Sequence, residues 1–245
     1  MARITIFHTS DMHNRLTPEF ASRLHDLKAA NSENILLDSG DAIRAGNIYW
    51  IPGGEPALDF MNSVPYDAMC MGNREFHFLG AGVDSKISRA NFPILSANLR
   101  ASDKDRANPV ISHAIFERSG VRLAVIGLTV PCITEKMFVK RVSDYYFDQP
   151  IAAAAEIVQA LRSQTDIVIA LTHTGINCDR ELSEKVPGID IILGGHTHIV
   201  ADETLGRTRI LHHGYYAQSV GRVDIDFDSG GITGVSNELI PLAKA

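Results

Sequence analysis

Short apolar runs separated by polar and helix-favouring stretches recur along most of the chain. Arg3 to His8 is a short β-rich run, and Ile35 to Leu37, Ala68 to Met71, Ile94 to Ala97, Leu123 to Leu128, Ile167 to Leu171 and Ile189 to Leu193 are similar, each short enough to be a buried strand. Between them Pro18 to Ala30, Glu55 to Val64 and Gln149 to Ser163 have helical character, the last carrying the alanine-rich Ile151 to Ala155. Strands alternating with helices predict an α/β domain. Towards the end the pattern changes to Arg209 to His213, Val220 to Asp228 and Ile232 to Leu239, with Asp228-Ser229-Gly230-Gly231 as a turn that predicts a closing β-hairpin.

No internal repeat, low-complexity tract or linker interrupts this pattern, so the expected organisation is one domain over residues 1–245. With 45% hydrophobic and 21% charged residues, a sizeable core is expected, and disorder or a fibrous architecture is not. A formal charge of -6 leaves no broad cationic surface for a nucleic-acid polymer. Small phosphates stay open, because bound cations reverse the sign of the local field. Polar residues follow the first apolar run at once and nothing later approaches membrane-spanning length, so no membrane association and a cytoplasmic location are expected. Cys70, Cys132 and Cys178 are scattered without CxxC spacing, which argues against a disulfide framework or a thiolate zinc site.

The metal-capable residues fall mostly just after an expected strand, where an α/β fold gathers its loops into one crevice. Asp11 and His13 follow the first strand, Asp41 the second, Asn73 the third, His173 follows Leu171-Thr172, and His196 and His198 follow Leu193 through Gly194-Gly195. In Asp11-Met12-His13 and His196-Thr197-His198 the paired residues are two apart, so both side chains leave one face of an extended segment. Taken singly, a histidine or a Gly-Asp pair is more often solvated or part of a turn; the ordered set is the signal. Mixed oxygen and imidazole donors suit Mn, Fe, Zn, Co or Ni. Seven donors exceed what one ion takes from protein and fit two ions about 3.5–4 Å apart sharing a carboxylate.

Asp11-x-His13, Gly40-Asp41, Gly72-Asn73, His173 and Gly195-His196-x-His198, in this order, resemble the calcineurin-like metallophosphoesterases. Phe7-His8-Thr9-Ser10-Asp11, Leu37-Asp38-Ser39-Gly40-Asp41, Tyr66-Asp67-Ala68-Met69, Leu95-Ser96-Ala97-Asn98, Gly214-Tyr215-Tyr216 and Gly221-Arg222 resemble the 5′-nucleotidase branch more closely still. The resemblance implies a four-layer αββα sandwich of two mixed sheets flanked by helices. It also implies that Asp11, His13, Asp41 and His198 hold a first ion and Asp41, Asn73, His173 and His196 a second, with Asp41 bridging. The implied activity is hydrolysis of a small phosphate ester, a nucleotide among the candidates, by in-line attack of a water whose pKa two cations lower.

The chain departs from the family at its third motif. Members usually read Gly-Asn-His-Glu with an aspartate three residues after the histidine; here Gly72-Asn73-Arg74-Glu75-Phe76-His77 puts arginine and histidine at those positions. Arginine does not serve as a general acid, but its planar fork suits phosphate oxygens, so Arg74 is expected to bind the phosphoryl group. His77 is either a relocated proton donor or a surface histidine. Asn14, where glycine is common, either narrows the approach or supplies a substrate hydrogen bond. The base-stacking domain of the nucleotidase branch is not evident, and Tyr49-Trp50 reads as a packed loop before it reads as an aromatic wall. His8 is a candidate neighbour of the ligands, and at most one of His212 and His213 points to the site. Two other functions stay open: hydrolysis of a sulfur ester, and a metal-bound scaffold that turns nothing over.

Overall fold

The computed structural model describes residues 2–242. In chain order the elements are β1 (Ala2–Thr9), α1 (Pro18–Ala29), β2 (Ile35–Asp38), α2 (Ala57–Ser63), β3 (Ala68–Cys70), α3 (Gly80–Ile87), β4 (Ile94–Leu95) and β5 (Leu99–Ala101). There follow β6 (His113–Arg118), β7 (Val121–Thr129), a 3-10 turn at Phe138–Val142, β8 (Tyr145–Phe147), α4 (Pro150–Leu161), β9 (Ile167–His173) and α5 (Ile176–Lys185). The last strands are β10 (Ile191–Gly194), β11 (Val200–Leu205), β12 (Thr208–His213), β13 (Ser219–Asp228) and β14 (Gly231–Pro241).

One sheet runs β14-β13-β1-β2-β3-β4 and a second runs β11-β12-β10-β9-β7-β6, while β5 and β8 pair separately. In the first sheet β1 to β4 are parallel and the β13-β14 hairpin adds antiparallel to β1. In the second, β7, β9, β10 and β12 are parallel, with β6 and β11 antiparallel at the edges. Facing residues such as Ile4, Ile6, Ile35 and Leu37 from the first sheet and Val125, Ile169, Leu171 and Leu193 from the second form one fully buried cluster between them. Each such side chain contributes about 1.5–3 kcal/mol by leaving water. The outer face of the first sheet packs on residues of α1, α2 and α3, and the outer face of the second on α4 and α5. This is the four-layer αββα arrangement of two mixed sheets that the resemblance implies.

The three expected helices and the closing hairpin are present, with small changes at their ends. Thr17 caps α1 by accepting from the Phe20 amide at 3.3 Å, with Pro18 at the first helical position. Two helices were not evident in the pattern: α3 opens Gly-Ala-Gly, a weak helix former, and α5 is largely polar with only Ile176, Asp179 and Leu182 buried. Among the described residues no helix is long and apolar enough to cross a membrane.

Candidate metal centre

All seven expected ligands arrive at the carboxyl ends of five parallel strands. Asp11 and His13 follow β1, Asp41 follows β2, Asn73 follows β3, His173 closes β9, and His196 and His198 follow β10. Because the first three strands belong to one sheet and the last two to the other, the residues meet across the mouth of the gap between sheets.

The backbone there is forced. Asp11, His13, Asp41, His196 and His198 all have φ between 48° and 74°, the left-handed region that non-glycine residues avoid at a cost of about 1–2 kcal/mol each. Hydrogen bonds over-determine it. The amides of Asp11, His13 and Asn14 donate to the carbonyls of Gly40, Asp41 and Ala42 at 2.9, 2.9 and 2.7 Å, which locks the two ligand loops together. The His196 amide donates to Asp11 Oδ2 at 2.9 Å, and the Tyr216 amide to the Asp11 carbonyl at 2.9 Å. Gly72 is required by close approach: a Cβ there would collide with the Asp41 amide nitrogen and carboxylate. Strain concentrated on potential ligands is the usual mark of a functional site.

The side-chain atoms converge in two groups. In the first, His198 Nε2 lies 3.3 Å from Asp11 Oδ1 and 3.2 Å from His13 Nε2, and His13 Nε2 lies 3.7 Å from both Asp11 Oδ1 and Asp41 Oδ2. In the second, His173 Nε2 lies 3.4 Å from Asp41 Oδ1, 3.2 Å from Asn73 Oδ1 and 3.3 Å from His196 Nδ1. Asp41 reaches both groups, one oxygen towards each.

The Ser39 carbonyl can only accept, so His173 Nδ1 donates to it at 2.8 Å and, in the neutral ring, Nε2 presents a lone pair to other acceptors. Burial pushes His173 down, yet the carboxylates of Asp41, Asp11 and Glu75 together outweigh it and lift the ring to about 9. Burial likewise pushes Asp41 up, and His173, the Arg74 amide and His13 together outweigh it, holding the carboxyl at about 2. Positive charge is therefore favoured between these two residues. Asp11 Oδ1 is buried with no hydrogen-bond partner among the described residues, an arrangement that costs about 1–3 kcal/mol unless a cation takes it. The donor set suits two divalent ions with nitrogen and oxygen ligands.

Two residues that sequence reasoning had not placed organise this mouth. Glu75, fully buried, accepts from the amides of Gly72 at 2.8 Å, Asp41 at 3.0 Å, Ala42 at 3.0 Å and Ile43 at 3.3 Å, tying the Asp41 loop to the Asn73 loop. Its place in Gly72-Asn73-Arg74-Glu75 was the available signal. Lys86 on α3 is buried and donates from Nζ to the carbonyls of Gly46, Arg74 and Phe76 at 2.7, 2.7 and 2.8 Å. Burial lowers it to about 8. No local pattern marks such a lysine, because its acceptors are backbone groups distant in sequence.

Arg74 stands at the edge of the cluster. Its amide donates to Asp41 Oδ1 at 2.7 Å, its Nε lies 3.6 Å from Asp41 Oδ2, and its Nη1 donates to the Arg44 carbonyl at 2.9 Å. His77 is not brought to the cluster, and neither alternative expected for it describes its position. It is 1% exposed, its ring stacks on Phe78 at 4.6 Å and meets Trp50 edge-on at 4.7 Å, and its Nδ1 accepts from the Leu79 amide at 3.0 Å. None of its hydrogen bonds or ring contacts among the described residues reaches the proposed ligands. The apolar packing of its neighbours buries it and holds its pKa below the usual value, so it is a packed histidine of the Trp50 loop.

Asn14 is exposed beside His13 with φ 61°. Tyr215 stacks on the His198 ring at 4.9 Å and Tyr216 meets the His13 ring edge-on at 5.3 Å, so the Gly214-Tyr215-Tyr216 segment braces the first group. His212 turns away to Asp179 at 2.8 Å, while His213 points into the gap between sheets. His25 is near Asp26, and His113 bonds Ser112. The three cysteines are free, and burial raises the thiol pKa of each.

The chain is 31% identical over 272 aligned positions to the trifunctional nucleotide phosphoesterase protein YfkN of Bacillus subtilis (strain 168), an alignment covering 94% of this chain and 18% of that protein. It is 29% identical to the 5′-nucleotidase of Bos taurus over 80% of this chain and 38% of that protein. The chain therefore spans well under half the length of these curated relatives. A solved structure, the 5′-nucleotidase precursor from Thermus thermophilus, shares the fold with a TM-score of 0.81 at 22% identity, covering 98% of this chain and 54% of that one. The family model for calcineurin-like phosphoesterase matches residues 4–200, from β1 through every strand end that carries a proposed ligand, and the chain belongs to that family.

Proposed function

We propose that this chain hydrolyses a small phosphate ester, a nucleotide being the first candidate, with two divalent ions held by Asp11, His13, Asp41, Asn73, His173, His196 and His198. The observation that carries this reading is that Asp11, His13 and His198, and Asp11, Asp41 and His173, bring donor atoms together in two groups that Asp41 also links, together with the unpartnered, buried Asp11 Oδ1. A pair of bound cations at such a site lowers the pKa of a shared water and neutralises phosphoryl oxygens as charge develops.

The chain's own residues supply the rest. Asp41 bridges the two groups of donors, and Glu75 and Gly72 hold its loop at the required distance. Arg74, with its side chain 31% exposed beside Asp41 and Nη1 held by the Arg44 carbonyl, would offer its remaining N–H groups to the phosphoryl oxygens. Asn14, exposed next to His13, offers a polar contact to the remainder of the substrate. The identity of the ions is Mn, Fe, Zn, Co or Ni by donor chemistry.

The test is manganese-supplemented hydrolysis of an aryl phosphate monoester, its bis-aryl diester and a nucleoside monophosphate by wild type and by Asp41→Ala. Turnover lost in the variant supports the reading, and the preferred ester names the substrate class. Wild type that carries both ions yet never exceeds the variant on any of these esters overturns it.

A further inference from the structure

Just inside the His173 edge, a line of polar side chains crosses the gap between sheets, which is otherwise filled by aliphatic residues. His8 on β1 is 0% exposed; its Nδ1 lies 2.6 Å from Nδ1 of His213 on β12, and its Nε2 lies 2.8 Å from Ser39 Oγ. His213 Nε2 is 2.8 Å from Asn237 Oδ1 on β14, and Asn237 Nδ2 donates to Asp202 Oδ2 on β11 at 3.1 Å. The path alternates between sheets at each step from His8 to Asp202.

Burial drives both rings to the neutral form, His8 well below the usual value and His213 to about 4. Each therefore carries one N–H. Asn237 Oδ1 can only accept, so His213 donates from Nε2–H, its Nδ1 accepts from His8 Nδ1–H, and His8 Nε2 accepts from the Ser39 hydroxyl, which also faces the Leu193 carbonyl on β10 at 2.8 Å. The Ser39 amide donates to the Thr9 carbonyl at 2.9 Å, and the Ser39 carbonyl accepts from His173 Nδ1. Every polar group of Ser39 is thus committed, to β1, β9 and His8.

We propose that Ser39, with the His8–His213 pair behind it, positions the second ion's ligands: it holds the carbonyl that takes the Nδ1 proton of His173, so that Nε2 faces the ion. This rests on the two-ion reading above. Asp11, His13 and His198, which serve the first ion, make no hydrogen bond to Ser39, His8 or His213 among the described residues. Loss of the anchor is therefore selective between the two ions, whereas loss of general stability is not. A carbonyl or carboxylate that fixes a ligand histidine in this way is typically worth 10–100-fold in metal affinity.

The experiment is calorimetric titration of Zn²⁺ into chelator-treated wild type, Ser39→Ala, His8→Leu, His8→Gln and Asn237→Ala, with thermal midpoints and bound-metal content measured alongside. Wild type is expected to take up two ions. Ser39→Ala and His8→Leu should weaken one site by about 10–100-fold and leave the other unchanged. His8→Gln retains an amide oxygen that can accept from the Ser39 hydroxyl and should recover most of the loss, and Asn237→Ala, at the far end, should show a smaller loss at the same site. Both sites unchanged, or both weakened alike with a falling thermal midpoint, overturns the proposal. If His8→Leu does not fold, Ser39→Ala and Asn237→Ala decide by the same criterion. Wild type that binds fewer than two ions removes the two-ion reading and this inference with it; two ions in wild type with unselective variants removes the inference alone.

Discussion

The two sheets bring different chemistry to the same mouth. The first supplies Asp11, Asp41 and Asn73, three oxygen donors, together with His13; the second supplies only the imidazoles of His173, His196 and His198. Neither set forms the proposed centre alone, because each carboxylate meets its nearest imidazole from the second sheet across the gap: Asp41 to His173 at 3.4 Å and Asp11 to His198 at 3.3 Å, with His13 to His198 at 3.2 Å. The lesson is that the site is a property of how the sheets pack, with aliphatic side chains setting their separation and the buried polar contacts at one end setting their alignment.

The comparison breaks most decisively at the residue that belongs to both groups. Asp41→Ala should lower kcat/KM on the preferred ester by about a thousandfold or more, since it removes charge stabilisation from both sides at once; a loss under about tenfold would mean that the two halves work separately.

Next in size is acid sensitivity, which reads the polar line between sheets. His213 has its folded pKa at about 4 against 6.5 for the free side chain, so the unfolded chain binds the proton first. Stability from this residue is present above pH 6.5 and is lost as pH falls towards 4, by about 3 kcal/mol in total. Denaturant unfolding at a series of pH values should show this slope, and His213→Gln should flatten it. An identical slope in the variant would remove His213 as its cause.

Removing metal separates the sheets energetically without changing a residue. At free metal a hundred times the dissociation constant, binding adds about 2.7 kcal/mol, so chelation should lower the thermal midpoint by about 5–10 °C in a chain of this size. Asp41→Ala should respond far less; equal responses would place the stabilising ion elsewhere. The smallest expected effect is at Arg74, on the rim of the first sheet. Arg74→Ala should reduce kcat/KM by about 10–100-fold, the worth of a charge-assisted hydrogen bond, with Arg74→Lys intermediate. Unchanged kcat and KM would exclude Arg74 from substrate contact.

Strand positions were legible where apolar runs were long, as at Leu123 to Leu128 and Ile167 to Leu171, because strands buried on both faces need little else. Edge strands were not: β6 and β11 are half-exposed, and their residues carry mixed polarity without a core-facing run. The ordered residues from Asp11 to His198 were legible as a set because each follows a strand. His77 was misplaced because a histidine replacing a motif residue gives no sign of whether its ring faces the cluster or packs between Trp50 and Phe78.

By itself the amino-acid sequence determined the alternation of strands and helices, the family, and the residues proposed as donors, since these depend on local periodicity and on residue identity in order. Only the tertiary structure decided that Glu75 and Lys86 tie the loops, that His77 is buried, and that His8 reaches Ser39 while His212 turns away. Those outcomes depend on hydrogen-bond partners tens to hundreds of residues apart, backbone groups for Glu75 and Lys86 and side chains for His8 and His212, and such partners are brought together only when the chain closes on itself.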